Sequence, residues 1–213
     1  NFKGGSVFRG RVTIKVPFLP KDYDPTKESL IDYANTNSTK KVDYVMFSKN
    51  RKSKKIETVY FIELKTDQTS RNTNQDKYLL YAKWQKGFNN ILEDIKDVMK
   101  ASKSKQKYYH LLFHLKNLKL IKVPEDIEKY LYPIKKGITA CIDKIALYDK
   151  KNIPKIEIIY IQPLEPKKRS KDNKKLASYI YFHDIRKYLK KQGDVFSNKF
   201  FSDYLKRWEV AAG

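Results

Sequence analysis

A chain of 213 residues, 40% hydrophobic and 14% aromatic, carries enough apolar side chain to bury a core, which excludes a disordered polymer. With 46 basic against 24 acidic residues its formal net charge is +22, the electrostatic footprint of a protein that tracks phosphates, although a Lys-rich, AT-biased genome would supply part of that excess. The one cysteine, Cys141, excludes an intramolecular disulfide and a Cys-based zinc site and is expected in the core. No apolar run is long enough to span a bilayer and no signal-peptide pattern opens the chain, so a soluble, cytoplasmic protein with no membrane partner is expected.

In chain order, Val12, Ile14, Val16 and Phe18 predict one early strand, and Thr26 caps a short helix over 26–34 with Leu30, Ile31 and Tyr33 as its apolar positions. Lys41 to Phe47 reads as a strand, Ser48 to Glu57 as a basic turn, and Thr58 to Lys65 as a second strand, together a hairpin with a long tip. The clearest helix covers about 74–100, where Tyr78, Tyr81, Trp84, Phe88, Ile91, Leu92, Ile95 and Met99 recur at three- and four-residue steps. Residues 101–153 read as a helical insertion, with a stripe of Tyr108, Leu111, Leu112, Leu115 and Leu118, an opening at Pro124-Glu125-Asp126, and a stripe of Ile138, Ile142 and Ile145. Lys155 to Gln162 is a third strand, a Lys-rich turn (167–175) leads to a strand over Ser178–Phe182, and helices near 184–191 and 197–208 flank Gly193. Strands interleaved with helices predict one α/β domain over 1–213, its helices packed on a mixed sheet.

Chemistry concentrates in Val59-Tyr60-Phe61-Ile62-Glu63-Leu64-Lys65. Side chains alternate along a strand, so Phe61, Glu63 and Lys65 share one face. Asp43 lies on the preceding strand and is placed to face Glu63 across the hairpin. Two converging carboxylates beside a lysine suit Mg²⁺ or Mn²⁺, and burying any of these charges unaided is costly. The pattern of acid, any residue, lysine starts at Glu63, Asp94, Asp149, Glu165 and Asp172, but only Glu63 has an apolar strand leading into it. The other four are expected as solvated ion pairs, and a partly exposed salt bridge on a sheet edge is the competing reading for Glu63 itself.

These residues resemble the PD-(D/E)XK nuclease superfamily: Asp43 in KKVDYVMF, Glu63 and Lys65 in VYFIELKTD, an amphipathic helix next, and later KIEIIYIQP and SYIYF leading into HDIRKYL. The resemblance covers about 26–100 and 155–190. It implies a restriction-endonuclease-like core that hydrolyses DNA with Mg²⁺ or Mn²⁺ in host defence, restriction or repair. It assigns metal ligation to Asp43, Glu63 and the main chain of Leu64, and the catalytic lysine to Lys65. Gln75 is the candidate for a glutamine on the following helix, with Gln68 as its rival, and Glu28 is a weak match to a glutamate on the first helix. Position 42 is Val where the family has proline. A decayed, non-catalytic DNA- or RNA-binding module is the alternative, and a scaffold for an acidic protein is a third reading.

Lys49, Arg51, Lys52, Lys54 and Lys55 at the hairpin tip are either a solvated loop or a phosphate clamp beside the site, and Lys167–Lys175 is similar. His110 and His114 have zinc spacing, but without the glutamate of a zinc protease a structural role is expected. His183 has no evident partner, Asp67 reads as a turn carboxylate, and core packing accounts better than base stacking for Tyr108, Tyr109 and Tyr179.

Overall fold

The computed structural model describes residues 6–8, 12–15, 39–50, 52–66, 73–101, 106–125, 142–163, 177–191 and 202–212. The expected helix over 26–34 with Glu28, and Arg51, Asp67, Gln68, Ile138, Cys141, the 167–175 run and Gly193, lie outside them. Among the described residues the protein is mixed α/β, with a mixed sheet and helices packed on it.

Strands β1 (Ser6–Phe8), β4 (Tyr44–Lys49), β5 (Ile56–Leu64), β8 (Lys155–Gln162) and β9 (Ser178–Tyr181) form this sheet, in that spatial order. The first two pairings are antiparallel, and β5–β8 and β8–β9 are parallel. Two short antiparallel pairs stand apart: β2 (Val12–Lys15) with β3 (Thr39–Val42), and β6 (Ile121–Lys122) with β7 (Ala146–Leu147). The continuous strand expected over Lys41–Phe47 is therefore divided. The chain bends at Asp43, leaving one sheet as β3 and joining another as β4.

Residues 74–100 are likewise not one regular helix. Helix α1 (Thr73–Tyr81) runs into a π-helical turn (Ala82–Lys86) before α2 (Gly87–Ala101). The Gly87 N–H closes the wide turn on the Ala82 carbonyl, and Gly87 adopts φ 70°, ψ 167°. The wider turn shifts the phase of the apolar stripe. Leu79 and Ala82 are buried in its place, and Trp84, expected inside, is 52% exposed. Downstream the expected stripe holds, with Phe88, Ile91, Leu92, Ile95 and Met99 all buried. A side chain at Gly87 meets nothing within 4 Å, so only backbone conformation opposes one. Gly87→Ala should therefore destabilise by about 1–3 kcal/mol without a packing change, checked by chemical denaturation; an unchanged midpoint would refute the break.

Helix α3 (Gln106–Asn117) buries Tyr108, Leu111, Leu112 and Leu115, and its His114 ring lies 5.6 Å from Phe47 of β4. The segment around it is not wholly helical, because β6 and β7 pair within it. Its Leu112, Leu115, Ile142 and Ile145 share one core with Phe47 and Phe61 of the main sheet. Burying a phenylalanine such as Phe61 contributes about 1.5–3 kcal/mol. Phe182, expected to end a strand, instead opens α4 (Phe182–Lys191), whose Asp184 accepts a hydrogen bond from the Tyr181 N–H (3.3 Å). Helix α5 (Ser202–Ala212) continues past the expected end at 208, residues 197–201 lying outside the described ones, and packs on α4 through Arg186–Glu209 (3.1 Å) and Phe182–Trp208. No helix among the described residues is long and apolar enough to cross a membrane.

Two lysines occupy left-handed backbone. Lys119 (φ 56°) ends α3 where the Leu120 N–H reaches Leu115 O (2.9 Å) and the Lys119 N–H reaches Lys116 O (2.8 Å), a Schellman closure that favours glycine. Lys54 (φ 58°) closes the β4–β5 loop, its N–H bonded to Asn50 O (3.0 Å). Each costs about 1–2 kcal/mol relative to a relaxed backbone.

Candidate active site

The alternation read from the sequence holds in β5, where Val59, Phe61 and Glu63 are buried while Tyr60, Ile62 and Leu64 are only partly so. Glu63 is 1% and Lys65 6% exposed, which removes the exposed sheet-edge salt bridge as an account of the pair. Lys65 Nζ donates to Glu63 Oε2 (3.3 Å) and to Gln75 Oε1 (2.8 Å), and Gln75 Nε2 donates to the same Glu63 oxygen (2.6 Å). The three side chains form a closed triangle at the carboxyl end of β5. Gln75 reaches it from the first turns of α1, while Gln68 lies outside the described residues.

The β4–β5 pairing ends at Tyr44 opposite Ile62, one step short of Asp43 opposite Glu63. Because the backbone bends there, Asp43 uses its side chain where a strand would use main chain: its Oδ2 accepts the Leu64 N–H (3.3 Å). Lys65 N–H is bonded to Ile161 O of β8 (2.8 Å), so the residue after Glu63–Leu64 is anchored from the other side.

Electrostatically Glu63 is under stress. Burial first, then the negative charge of Asp43, push its carboxyl from 4.5 up to about 7, against the opposing influence of Lys65. Its second oxygen, Oε1, is buried and has no hydrogen-bond partner among the described residues. Such an atom costs about 1–3 kcal/mol, more when charged, unless something satisfies it.

Two residues that the sequence reading passed over support this cluster. Tyr160 of β8 is paired in register with Glu63, and its Oη donates to Asp76 Oδ1 (2.6 Å), next to Gln75 on α1. Burial, then Asp76, hold the Tyr160 phenol well above its ordinary range, so it remains a donor. The KIEIIYIQ strand signalled a tyrosine on β8, but only the parallel register with β5 brings it beside Glu63. Tyr179 stacks on Tyr160 with ring centroids 5.4 Å apart, and Tyr108 is buried in the core, so both serve packing.

The remaining expectations divide. Asp94 and Lys96 are buried, not solvated, and pair with Lys86 (2.6 Å) and Glu93 (2.9 Å). Asp149 pairs with Lys55 (3.3 Å), and Glu165 and Asp172 lie outside the described residues. His110 is exposed and His114 half-buried, with its pKa lowered by burial; His183 lies 3.1 Å from Asp184 and stacks on Tyr181. Among the described residues no three His, Cys, Asp or Glu side chains group as metal ligands. The hairpin tip is not beside the triangle. Lys49, Lys52, Lys54 and Lys55 sit at the opposite end of β5, and Ile56 lies seven residue steps along the strand from Glu63, about 23 Å.

Comparison with family models, curated proteins and solved structures finds no match to this chain.

Proposed function

We propose that this protein is a divalent-metal-dependent nuclease that hydrolyses DNA phosphodiester bonds, built on a restriction-endonuclease-like core of the PD-(D/E)XK kind. The observation that carries the reading is the buried Glu63–Lys65–Gln75 triangle, with an unpartnered Glu63 oxygen beside Asp43. A purely structural ion pair gains nothing from leaving a buried carboxylate oxygen unsatisfied next to a second acid. A cation in this position would satisfy Oε1 and offset the repulsion between the two carboxylates.

The residues that would hold Mg²⁺ or Mn²⁺ are Asp43, Glu63 and the main-chain carbonyl of Leu64. When bound there, such an ion would polarise a phosphoryl oxygen and lower the pKa of a bound water. Lys65, held by Glu63 and Gln75, keeps its ammonium against the reacting centre, where it offsets charge developing on the phosphate. Gln75 fixes the rotamer of Glu63, and Tyr160 through Asp76 fixes α1. The net charge of +22 favours a polyanionic substrate. Purified protein should nick or cut at least one of supercoiled, linear, nicked or single-stranded DNA with Mg²⁺ or Mn²⁺, and EDTA should stop it. Failure on all four forms with both metals would refute the nuclease reading.

One observation favours a second reading, a non-catalytic basic nucleic-acid-binding module on the same fold: no third acid or histidine joins Asp43 and Glu63 among the described residues. Nucleic-acid binding with no cleavage would select it.

A further inference from the structure

At the far end of β5 from Glu63, the hairpin tip faces the turn that closes α3 and the residues following β7. Between them lies a cavity of about 490 Å³. Its walls carry Lys49, Lys54 and Lys55 from the hairpin, Lys119 from the α3 turn, and Tyr148 and Asp149 after β7. Lys55 and Asp149 neutralise each other at 3.3 Å. Lys49, Lys54 and Lys119 are ion-paired with no other described residue, so three positive charges line one concave surface.

The backbone points to the same place. Lys54 and Lys119 are the two non-glycine residues with positive φ among the described residues, and both line this cavity. Each occupies a turn position that glycine or asparagine fills without strain. Turn formation therefore does not account for lysine at either position; an ammonium delivered into the cavity does. Tyr148 adds a flat aromatic surface, 48% exposed, with Lys122 Nζ 5.5 Å from its ring centroid. Compact ammonium groups suit phosphate oxygens, and an exposed ring beside them suits a base.

We infer that this cavity is a second binding site, which takes a phosphate group on its lysines and the adjoining base on Tyr148. The ligand is a nucleotide unit, either within a nucleic-acid strand or free. The site is about 23 Å from Glu63 along β5, so it neither requires nor excludes cleavage there.

The test is fluorescence anisotropy on the full chain with a labelled single-stranded 12-mer, in EDTA, across a salt series. Lys54→Gly with Lys119→Gly removes two cations while relaxing two strained turns. The thermal midpoint should stay or rise by up to about 4 °C, whereas affinity should fall about tenfold or more and the salt slope by about 1.4. Lys54→Arg with Lys119→Arg should bind within about twofold of wild type, which separates charge from turn geometry. Tyr148→Leu should weaken binding about fivefold or more with the salt slope unchanged. Adenosine monophosphate competing as well as the 12-mer identifies a free nucleotide as the ligand; competition only at much higher concentration identifies the strand. Wild-type affinity in the double glycine variant overturns the site. So does equal competition by inorganic phosphate and adenosine monophosphate, or displacement of the 12-mer by an oligoglutamate peptide at equal charge. Absence of cleavage by the wild-type protein, with this binding intact, would refute only the nuclease reading.

Discussion

Glu63→Ala should lower metal-dependent cleavage by about a thousandfold or more while leaving DNA binding intact or tighter. The substitution removes a proposed metal ligand and one negative charge facing the phosphate. It also releases Lys65, which donates to Glu63 and Gln75 and keeps only the amide oxygen as partner. Lys65→Ala should cost cleavage to a similar degree by a different route, because Asp43, Glu63 and the Leu64 carbonyl all remain. Metal loading, followed as a Mn²⁺- or Mg²⁺-dependent rise in thermal midpoint, should therefore persist in Lys65→Ala and vanish in Glu63→Ala. Lys65→Arg should rescue poorly. The ammonium fits between two acceptors in a site only 6% exposed, where a planar guanidinium is both larger and differently directed. Cleavage by Glu63→Ala at the wild-type rate would return Asp43, Glu63 and Lys65 to the status of a structural ion cluster.

A second large effect concerns stability against pH. The Glu63 carboxyl titrates near 7 in the folded chain, against 4.5 as its ordinary value. The folded protein thus holds a proton that the unfolded chain has already lost. Stability from this group is fully present below about 4.5 and is lost as pH rises through 7, a swing of order 3 kcal/mol for a side chain this buried. Glu63→Gln mimics the protonated form. In EDTA it should match wild type near pH 4.5 and exceed it near pH 8 by up to about 3 kcal/mol, a difference of about 6–12 °C in thermal midpoint. Added Mg²⁺ should narrow that gap by stabilising wild type alone. Parallel pH profiles for the two proteins would show that Lys65 and Gln75 already compensate the Glu63 charge in full.

Much of this arrangement was legible locally, for a physical reason. Period-two alternation and β-branched content identify β4, β5 and β8, and the same alternation places Phe61, Glu63 and Lys65 on one face before any tertiary contact is considered. The stripe Ile91, Leu92, Ile95 and Met99 identifies α2 in the same way. Local periodicity could not foresee the π turn, because one wider turn leaves composition unchanged while rotating everything before it; Trp84 is exposed as a result.

Only tertiary structure decided the rest. Strand exchange at Asp43 frees its carboxylate for the Leu64 N–H, and that exchange depends on β1 and β2, partners far off in sequence. Gln75 reaches Glu63 because α1 starts where it does, and Tyr160 joins them because β8 runs parallel to β5 in one particular register. The same strand length carries the hairpin lysines away from Glu63 and sets them against Lys119 and Tyr148. Residue type and spacing along one segment report which face a side chain shares. Which segment faces it depends on long-range burial, where each charged group must find the partner that makes its desolvation tolerable.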